Sequence, residues 1–147
     1  MKSRKKIILV RPLVFSQTRM YYGAPLALLA ICRLLATEDK YDIKIFDPTI
    51  NKNYISQIVK QSKNALCIGI SSITGYSILD GLRIAQAVKT KYPKLPIIWG
   101  GWHPSILPNE TIIDPLVDIV VVGQGERTFT ELVHALEKNK IKKISKA

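Results

Sequence analysis

Cysteine is scarce in this sequence, and the scarcity excludes two classes of small protein. Only Cys32 and Cys67 occur among the 147 residues, so a domain held together by several disulfides is excluded. The two thiols lie far apart in the sequence and provide none of the short spacings of a structural zinc site. Both fall in apolar segments, and we expect reduced thiols in the protein core.

Long apolar runs are also missing. A membrane-spanning helix needs about 18 consecutive apolar residues, and no stretch reaches that length although 47% of the residues are hydrophobic. The basic N-terminus is followed by the short apolar run Ile7 to Val10, which is too short for a signal peptide. We therefore expect a cytoplasmic protein with no membrane partner and with enough apolar residues for one core.

Acidic residues are absent from both ends of the chain, which explains much of the net charge of +11. Nine of the 22 basic residues lie in residues 1–6 and 138–147, whereas residues 7–137 hold 13 basic and 11 acidic residues, a difference of +2. A basic patch can indicate nucleic-acid binding, but lysines confined to chain ends are typical of solvated tails. We predict basic tails at 1–6 and 139–147, one domain at 7–138, and no nucleic-acid partner.

Short apolar strands alternate with helical segments along the chain. Strands are predicted where β-branched runs end at glycine, proline or polar residues, and helices where apolar residues recur every three or four positions. The predicted strands are Ile7–Val10, Tyr41–Asp47, Ala65–Ser71, Pro96–Trp99 and Asp118–Val122. The predicted helices are Pro25–Ala36, a segment through Ile55 and Val59 with Asn51 or Asn53 as its cap, Ser77–Lys91, Leu107–Ile113 and Glu126–Lys138.

Uniformly apolar strands are typical of a parallel sheet covered by helices on both faces. Five strand–helix units predict an α/β fold of the flavodoxin-like or Rossmann-like type, a three-layer sandwich whose five-stranded parallel sheet has the order 2-1-3-4-5. In such a sheet a ligand binds beyond the carboxyl ends of the strands, where the strand order reverses. In this chain that point lies between the first and third strands.

Glycines and small polar residues gather in the loops at this carboxyl edge. Hydroxyl groups after the third strand either bind a ligand or cap the next helix, and glycines after the fourth and fifth strands let a ligand approach the backbone. A lone histidine there is a ligand, an acid–base group or a structural residue. The loop residues are Ser71, Ser72, Thr74 and Gly75, then Gly100, Gly101, Trp102, His103 and Pro104, then Gly123, Gly125 and Glu126.

Four segments, in order and each beside the expected strand or helix, resemble the N-terminal cobalamin-binding domain of cobalamin-dependent radical S-adenosylmethionine enzymes. The first is the run that Tyr22 opens and Ala30 ends, similar to a P-x-x-L/G-L-x-x-L-A stretch. The others are Gly69 to Gly75 (G-I-S-x-x-T-G), Ile98 to Pro104 (V-x-G-G-x-H-P) and Val122 to Glu126 (x-G-E-G-E, with Gln124 in place of the first glutamate). The similarity covers about residues 7–136.

The resemblance implies a cobalamin over the carboxyl edge of the sheet. It implies that Ser71, Ser72 and Thr74 contact the nucleotide tail and side amides, and that Gly100 and Gly101 let the tail run deep into the sheet. It also implies that Trp102, His103 and Pro104 lie near the corrin. The resemblance also suggests five further cofactor-binding residues: Tyr22, Gly75, Gly123, Gly125 and Glu126.

The chain departs from related proteins in two ways. The sequence lacks the motif Asp-x-His-x-x-Gly, whose histidine ligates cobalt in methyltransferase-type cobalamin domains. Its only histidines are His103 and His134. The resemblance therefore implies no imidazole ligand of that type, and metal enters only with the cofactor. Cys-x-x-x-Cys-x-x-Cys is absent as well, so we expect no iron–sulfur cluster in this chain.

These departures predict a cobalamin domain that is not catalytic alone. It would serve methyl transfer or related radical chemistry in a partner or missing domain, a radical S-adenosylmethionine barrel. Two alternatives stay open. One is a flavodoxin-like domain that binds a nucleotide or flavin at the same edge, although the dinucleotide fingerprint and the phosphate-loop motif are both absent. The other is a basic interaction domain.

Overall fold

A computed structural model of the chain describes residues 4–15 and 23–141. Its centre is a five-stranded parallel sheet with the strand order β2-β1-β3-β4-β5. The strands are β1 (Lys5–Val10), β2 (Tyr41–Phe46), β3 (Ala65–Ser71), β4 (Ile97–Gly100) and β5 (Ile119–Val120). The predicted fold class and strand order are therefore confirmed.

Helices cover both faces of the sheet and make the three-layer sandwich that the strand pattern predicts. The helices are α1 (Leu26–Ala36), α2 (Tyr54–Gln61), α3 (Tyr76–Lys91), α4 (Trp102–Ile106), α5 (Pro108–Ile113) and α6 (Glu126–Glu137). Helices α1 and α6 pack on one face, and α2 and α3 pack on the other. No helix in the described ranges is both long and apolar enough to cross a membrane.

The core consists of two apolar clusters, one on each side of the sheet. Successive residues of β1 alternate between them: Ile7 and Leu9 face α1 and α6, whereas Ile8 and Val10 face α2 and α3. All four are buried, and full burial of such a side chain contributes about 1.5–3 kcal/mol. Strands with an apolar residue at every position are thus explained by burial on both faces.

Several element boundaries differ from the sequence predictions. β1 begins at Lys5 rather than Ile7, and the Lys5 ammonium lies 3.3 Å from the Glu137 carboxylate. Two residues of the expected basic tail are therefore strand residues. β5 has only two residues, and Asp118 directly before it accepts the N–H of Ile97 with its carboxylate at 2.8 Å. Asn53 occupies the N-cap position of α2, but its side chain makes no capping hydrogen bond.

One helix was not predicted. The sequence after β4 was interpreted as a loop, but α4 begins directly after Gly101 and precedes α5. Gly101 has a φ of +99°, which turns the chain sharply out of the strand, and Pro104 lies in the first turn, where its missing N–H costs little. The short helix therefore depends on a glycine conformation that the sequence pattern does not reveal.

Polar side chains close the amino edge of the sheet. The Tyr41 hydroxyl donates to the Glu137 carboxylate at 2.8 Å, and the Lys40 ammonium lies 3.2 Å from the same group. His134 contacts Glu38 at 2.8 Å nearby. The hydrogen bonds from Tyr41, which has the larger effect, and from Lys40 lower the pKa of Glu137 to about 2. The end of α6 is thus held to β2 and to the turn after α1, at the edge opposite the predicted ligand site.

Candidate functional site

A narrow cleft opens at the carboxyl edge, between the sheet and helices α1 and α6. Strand residues Leu9, Gly69 and Ile98 line it from the sheet, and the side chains of Leu28, Ile31 and Phe129 line it from the helices. Five of the predicted binding residues line the same cleft: Ser71, Gly100, Gly101, Gly123 and Gly125. The carboxyl edge therefore does bring together the predicted glycines from two separate loops.

The cleft is small. Its free volume is about 30 Å³, close to the volume that one water molecule occupies in the liquid. Two glycines explain the tight packing of its deep part, since a Cβ at Gly69 would lie 2.8 Å from Leu9 Cδ2 and one at Gly125 would lie 3.2 Å from Ile31 Cδ1. Gly69 thus makes room for the side chain of Leu9 on the neighbouring strand, and Gly125 lets the start of α6 lie close to Ile31 of α1.

The adjacent glycines after β4 have different roles. A Cβ at Gly100 would meet nothing nearer than the Val121 carbonyl oxygen at 3.8 Å, and Val121 also lines the cleft. A Cβ at Gly101 would lie 2.6 Å from the Ser72 carbonyl oxygen, and the positive φ of Gly101 disfavours any side chain. A side chain at Gly100 would enter the open space, whereas one at Gly101 would collide with the backbone of the neighbouring strand end.

The three hydroxyl residues after β3 occupy three different environments. Ser71 pairs with Gly100 in the sheet and lines the cleft. Ser72 is buried and does not line it; its hydroxyl has no hydrogen-bond partner among the described residues. Thr74 is exposed, and its Oγ1 lies 3.3 Å from Nδ1 of His103. No side chain caps α3, whose N-cap position is Gly75, so the capping interpretation of these hydroxyls is wrong.

The remaining predicted residues that the structure describes do not line the cleft. Trp102 is 74% exposed at the start of α4, and the following His103 is half-buried. Pro104 is buried in the same helix. Glu126 begins α6, where a carboxylate interacts favourably with the helix dipole. Gly75 is exposed with a φ of +114°. Tyr22 lies outside the described residues.

Sequence reasoning missed Ser105, which connects two loops at the cleft. Its hydroxyl donates to the carbonyl oxygen of Gly101 at 2.7 Å and accepts the N–H of Gly123 at 3.0 Å. A serine that bonds the carbonyl four residues earlier is common in helices. The sequence would therefore indicate this hydrogen bond of Ser105 only if helix α4 could be predicted.

An ion pair stands at the ends of β1 and β2. Arg11 pairs with the buried carboxylate of Asp47 and also donates to the carbonyl oxygen of Gly23 at 3.1 Å. The backbone N–H of Leu13 donates to the buried carboxylate of Asp80 at 2.8 Å. These contacts fix the chain where it leaves β1 and where it approaches α1. β1 is therefore followed by Arg11, a cation paired with the Asp47 carboxylate, and not by a cluster of carboxylates.

No direct metal site occurs within residues 4–15 and 23–141. In those ranges no three histidine, cysteine, aspartate or glutamate side chains lie close enough together to hold an ion. Cys32 and Cys67 are buried free thiols, as expected. Burial raises the pKa of Cys67 to about 12, so its thiol is protonated at neutral pH and is a poor metal ligand.

Comparison with known sequences identifies a family and two longer relatives. Residues 13–133 match the sequence profile of the B12 binding domain. An uncharacterized methyltransferase of Pyrococcus horikoshii is 32% identical over 141 residues, which are 92% of this chain and 30% of that protein. The anaerobic magnesium-protoporphyrin IX monomethyl ester cyclase of Synechocystis is 28% identical over 118 residues, 77% of this chain and 23% of the enzyme. The chain thus spans less than a third of either relative.

Solved structures share the fold at low sequence identity. The radical S-adenosylmethionine methyltransferase TsrM of Kitasatospora setae, solved with cobalamin and an iron–sulfur cluster bound, superposes with a TM-score of 0.72 at 18% identity. The match covers 92% of this chain and 25% of TsrM. The isolated REC domain of RcsB from Salmonella enterica superposes with a TM-score of 0.58 at 18% identity, covering 92% and 90% of the two chains.

Proposed function

This chain belongs to the B12-binding domain family, and we propose that it holds a cobalamin over the carboxyl edge of its sheet for a radical S-adenosylmethionine catalytic domain. The observation that carries the proposal is the cleft between the sheet and helices α1 and α6. Glycines from the loops after β4 and β5 line it together with Ser71. Ligands of open parallel sheets bind at this edge.

The residues around the cleft fit the two parts of a cobalamin. The apolar walls and the open space beside Gly100 suit the nucleotide tail, and the Ser71 hydroxyl offers it a hydrogen bond. The exposed face of Trp102 suits the flat corrin. The same proposed site also includes Ser72, Thr74, Gly75, His103, Pro104, Gly123, Gly125 and Glu126. Tyr22, which lies outside the described residues, is proposed to belong to it as well. Bound cobalamin would supply methyl-transfer or related radical chemistry.

The size of the cleft limits how the tail enters. A free volume of about 30 Å³ is much smaller than a nucleotide, so we propose that the side chains of Leu28, Ile31 and Phe129 move away from the sheet when the tail enters. Polar contacts at the amino edge hold the end of helix α6 to β2 and to the turn after helix α1. We therefore propose that the two helices separate at their cleft ends.

We propose that the partner is a radical S-adenosylmethionine barrel, either in another protein or in a longer chain. Support comes from the relatives, which are a methyltransferase and a cyclase of which this chain spans 30% and 23%. The sequence contains no Cys-x-x-x-Cys-x-x-Cys, so an iron–sulfur cluster would have to be bound elsewhere. The chain alone would then bind the cofactor without catalysing a reaction.

The cobalt is proposed to lack a protein imidazole of the Asp-x-His-x-x-Gly type. His134 contacts Glu38 at the amino edge, far from the proposed corrin position. His103 does lie near the carboxyl edge, but its Nδ1 is directed toward Thr74 Oγ1. We also propose a cytoplasmic location and a single domain between basic tails; its predicted range of 7–138 extends back to Lys5, where β1 begins.

Equilibrium dialysis with hydroxocobalamin tests the proposed function. The wild-type protein should retain about one cobalamin per chain and should retain neither flavin mononucleotide nor ATP, which serve as probes of the nucleotide alternative. Gly100→Val should remain folded, because a Cβ there meets no close atom. A side chain that fills an occupied site costs about 1–3 kcal/mol, which corresponds to roughly 10- to 100-fold weaker binding.

Two results would contradict the proposal. A folded wild-type protein that retains no cobalamin would remove the proposed function altogether. A folded Gly100→Val protein with wild-type affinity would show that the tail does not pass this strand end, even if cobalamin binds elsewhere on the edge.

A further inference from the structure

Ser105 joins the two glycine loops that border the cleft. Its hydroxyl group donates to Gly101 in the loop after β4 and accepts from Gly123 in the loop after β5, at 2.7 and 3.0 Å. Both glycines line the cleft. One side chain therefore links the two loops across the carboxyl edge.

The loop after β5 has little other support. Val122, Gly123 and Gln124 are all exposed, and a Cβ at Gly123 would meet no atom within 4 Å. Packing therefore does not hold this loop in place. Gly123 also has a φ of +74°, a conformation that glycine adopts more readily than other residues. The Ser105 hydrogen bond to its N–H is consequently a direct restraint on the loop.

We propose that Ser105 is a positioning residue for the nucleotide tail of cobalamin. It holds the Gly123 loop against the loop after β4, and so keeps the wall of the tail cleft in a conformation that can receive the tail. Ser105 acts through the two glycines and need not contact the cofactor itself. This inference rests on the proposed function, because it assigns the cleft to the tail and the outer edge to the corrin.

A comparison of two ligands tests this role. Ser105→Ala removes both hydrogen bonds, and loss of a hydrogen bond of this kind weakens an interaction by about 0.5–1.5 kcal/mol. Hydroxocobalamin should therefore bind roughly 3- to 10-fold more weakly to the variant. Cobinamide, the corrin that lacks the nucleotide tail, should bind the variant and the wild type equally. Equilibrium dialysis measures both affinities.

A matched control separates loop positioning from a general loss of stability. Ser62 is buried and makes the same type of bond, from its hydroxyl to the carbonyl oxygen of Ile58 at 2.7 Å, but it lies at the amino edge. Ser62→Ala should leave both affinities unchanged. Ser105→Thr keeps the hydroxyl and should restore most of the cobalamin affinity. If Ser105→Ala does not fold, Ser105→Cys preserves the side-chain shape and takes its place in the comparison.

The possible results lead to different conclusions. Equal cobalamin affinities of folded Ser105→Ala and wild type would overturn the inference while leaving the proposed function intact. Parallel weakening of cobalamin and cobinamide would also overturn it, since Ser105 would then support the corrin surface or the fold. Failure of the wild type to bind cobalamin would instead contradict the proposed function.

Discussion

The two edges of the sheet differ in how their backbone and side chains are supported. At the amino edge, Glu137, Tyr41 and Lys40 hold one another through hydrogen bonds and ion pairs. At the carboxyl edge, Gly101 and Gly123 have positive φ angles, and one serine hydroxyl joins their loops. The first edge is held by contacts between side chains, whereas the second depends on backbone conformations that glycine allows and leaves space beside the strands. The comparison teaches that the two ends of the same strands are stabilised in different ways, and that only the end with glycine loops offers room for a ligand.

Among the tests of this comparison, Gly101→Val should have the largest effect on stability. The substitution would place a Cβ 2.6 Å from the Ser72 carbonyl oxygen and would force a β-branched residue to a positive φ. Backbone strain of this kind costs about 1–3 kcal/mol, and the overlap costs about as much again. We expect a loss of roughly 3 kcal/mol or more in the free energy of unfolding, measured by urea denaturation.

Gly100→Val is the matched control for that experiment, because its Cβ would make only ordinary contacts with Val121, at 3.8 Å and beyond. Its free energy of unfolding should stay within about 1 kcal/mol of the wild-type value. If Gly101→Val proved as stable as Gly100→Val, the distinction drawn between the two adjacent glycines would be wrong.

A smaller effect is expected for Glu137→Gln at the amino edge. The hydrogen bonds from Tyr41 and Lys40 lower the pKa of Glu137 from 4.5 to about 2, so the ionised carboxylate stabilises the fold. Because the folded pKa is lowered, this contribution is complete above about pH 4.5 and is lost as the pH falls toward 2. The variant should lose roughly 1 kcal/mol at neutral pH, as is typical of a partly exposed ion pair.

Urea denaturation at several pH values measures this dependence. The difference between wild type and Glu137→Gln should shrink steadily between pH 4.5 and 2, while cobalamin affinity at neutral pH stays unchanged. A difference that is independent of pH would show that the carboxylate charge is not what stabilises this edge.

The smallest effect is expected from the chain ends. All strands and helices of the described residues lie between Lys5 and Glu137, so we expect removal of residues 1–3 and 142–147 to change neither the melting temperature nor the cobalamin affinity appreciably. The truncation must spare Lys5, which is a strand residue and an ion-pair partner of Glu137. A large loss of affinity in the folded, truncated protein would show that the tails take part in binding.

The sequence predicts the sheet well because strand burial leaves a direct signal. Ala65–Ser71 is predicted to the residue, since every position in it is apolar or small and polar residues follow. β5 was predicted too long because Val121 and Val122 are β-branched, although Val122 is 54% exposed and lies outside the strand. Composition cannot distinguish a valine that pairs in a sheet from one in a surface loop.

The site was only partly predictable for a similar reason. Glycines at strand ends indicate a ligand edge, but only dihedral angles and neighbours show that Gly100 faces open space and Gly101 faces the Ser72 backbone. The walls of the cleft, such as Phe129, appear in the sequence as ordinary core residues of a helix. Ser105 was missed because its importance depends on contacts between two loops.

The outer strands of the sheet have a further consequence for association. β5 exposes the backbone of only two residues, and β2 at the other side carries an Asp42–Lys44 ion pair on its half-exposed surface. Short edges and edge charges both discourage another chain from adding a strand to a sheet. The margins of the sheet are therefore protected against edge-to-edge aggregation, and contacts with other proteins are left to the helices and loops.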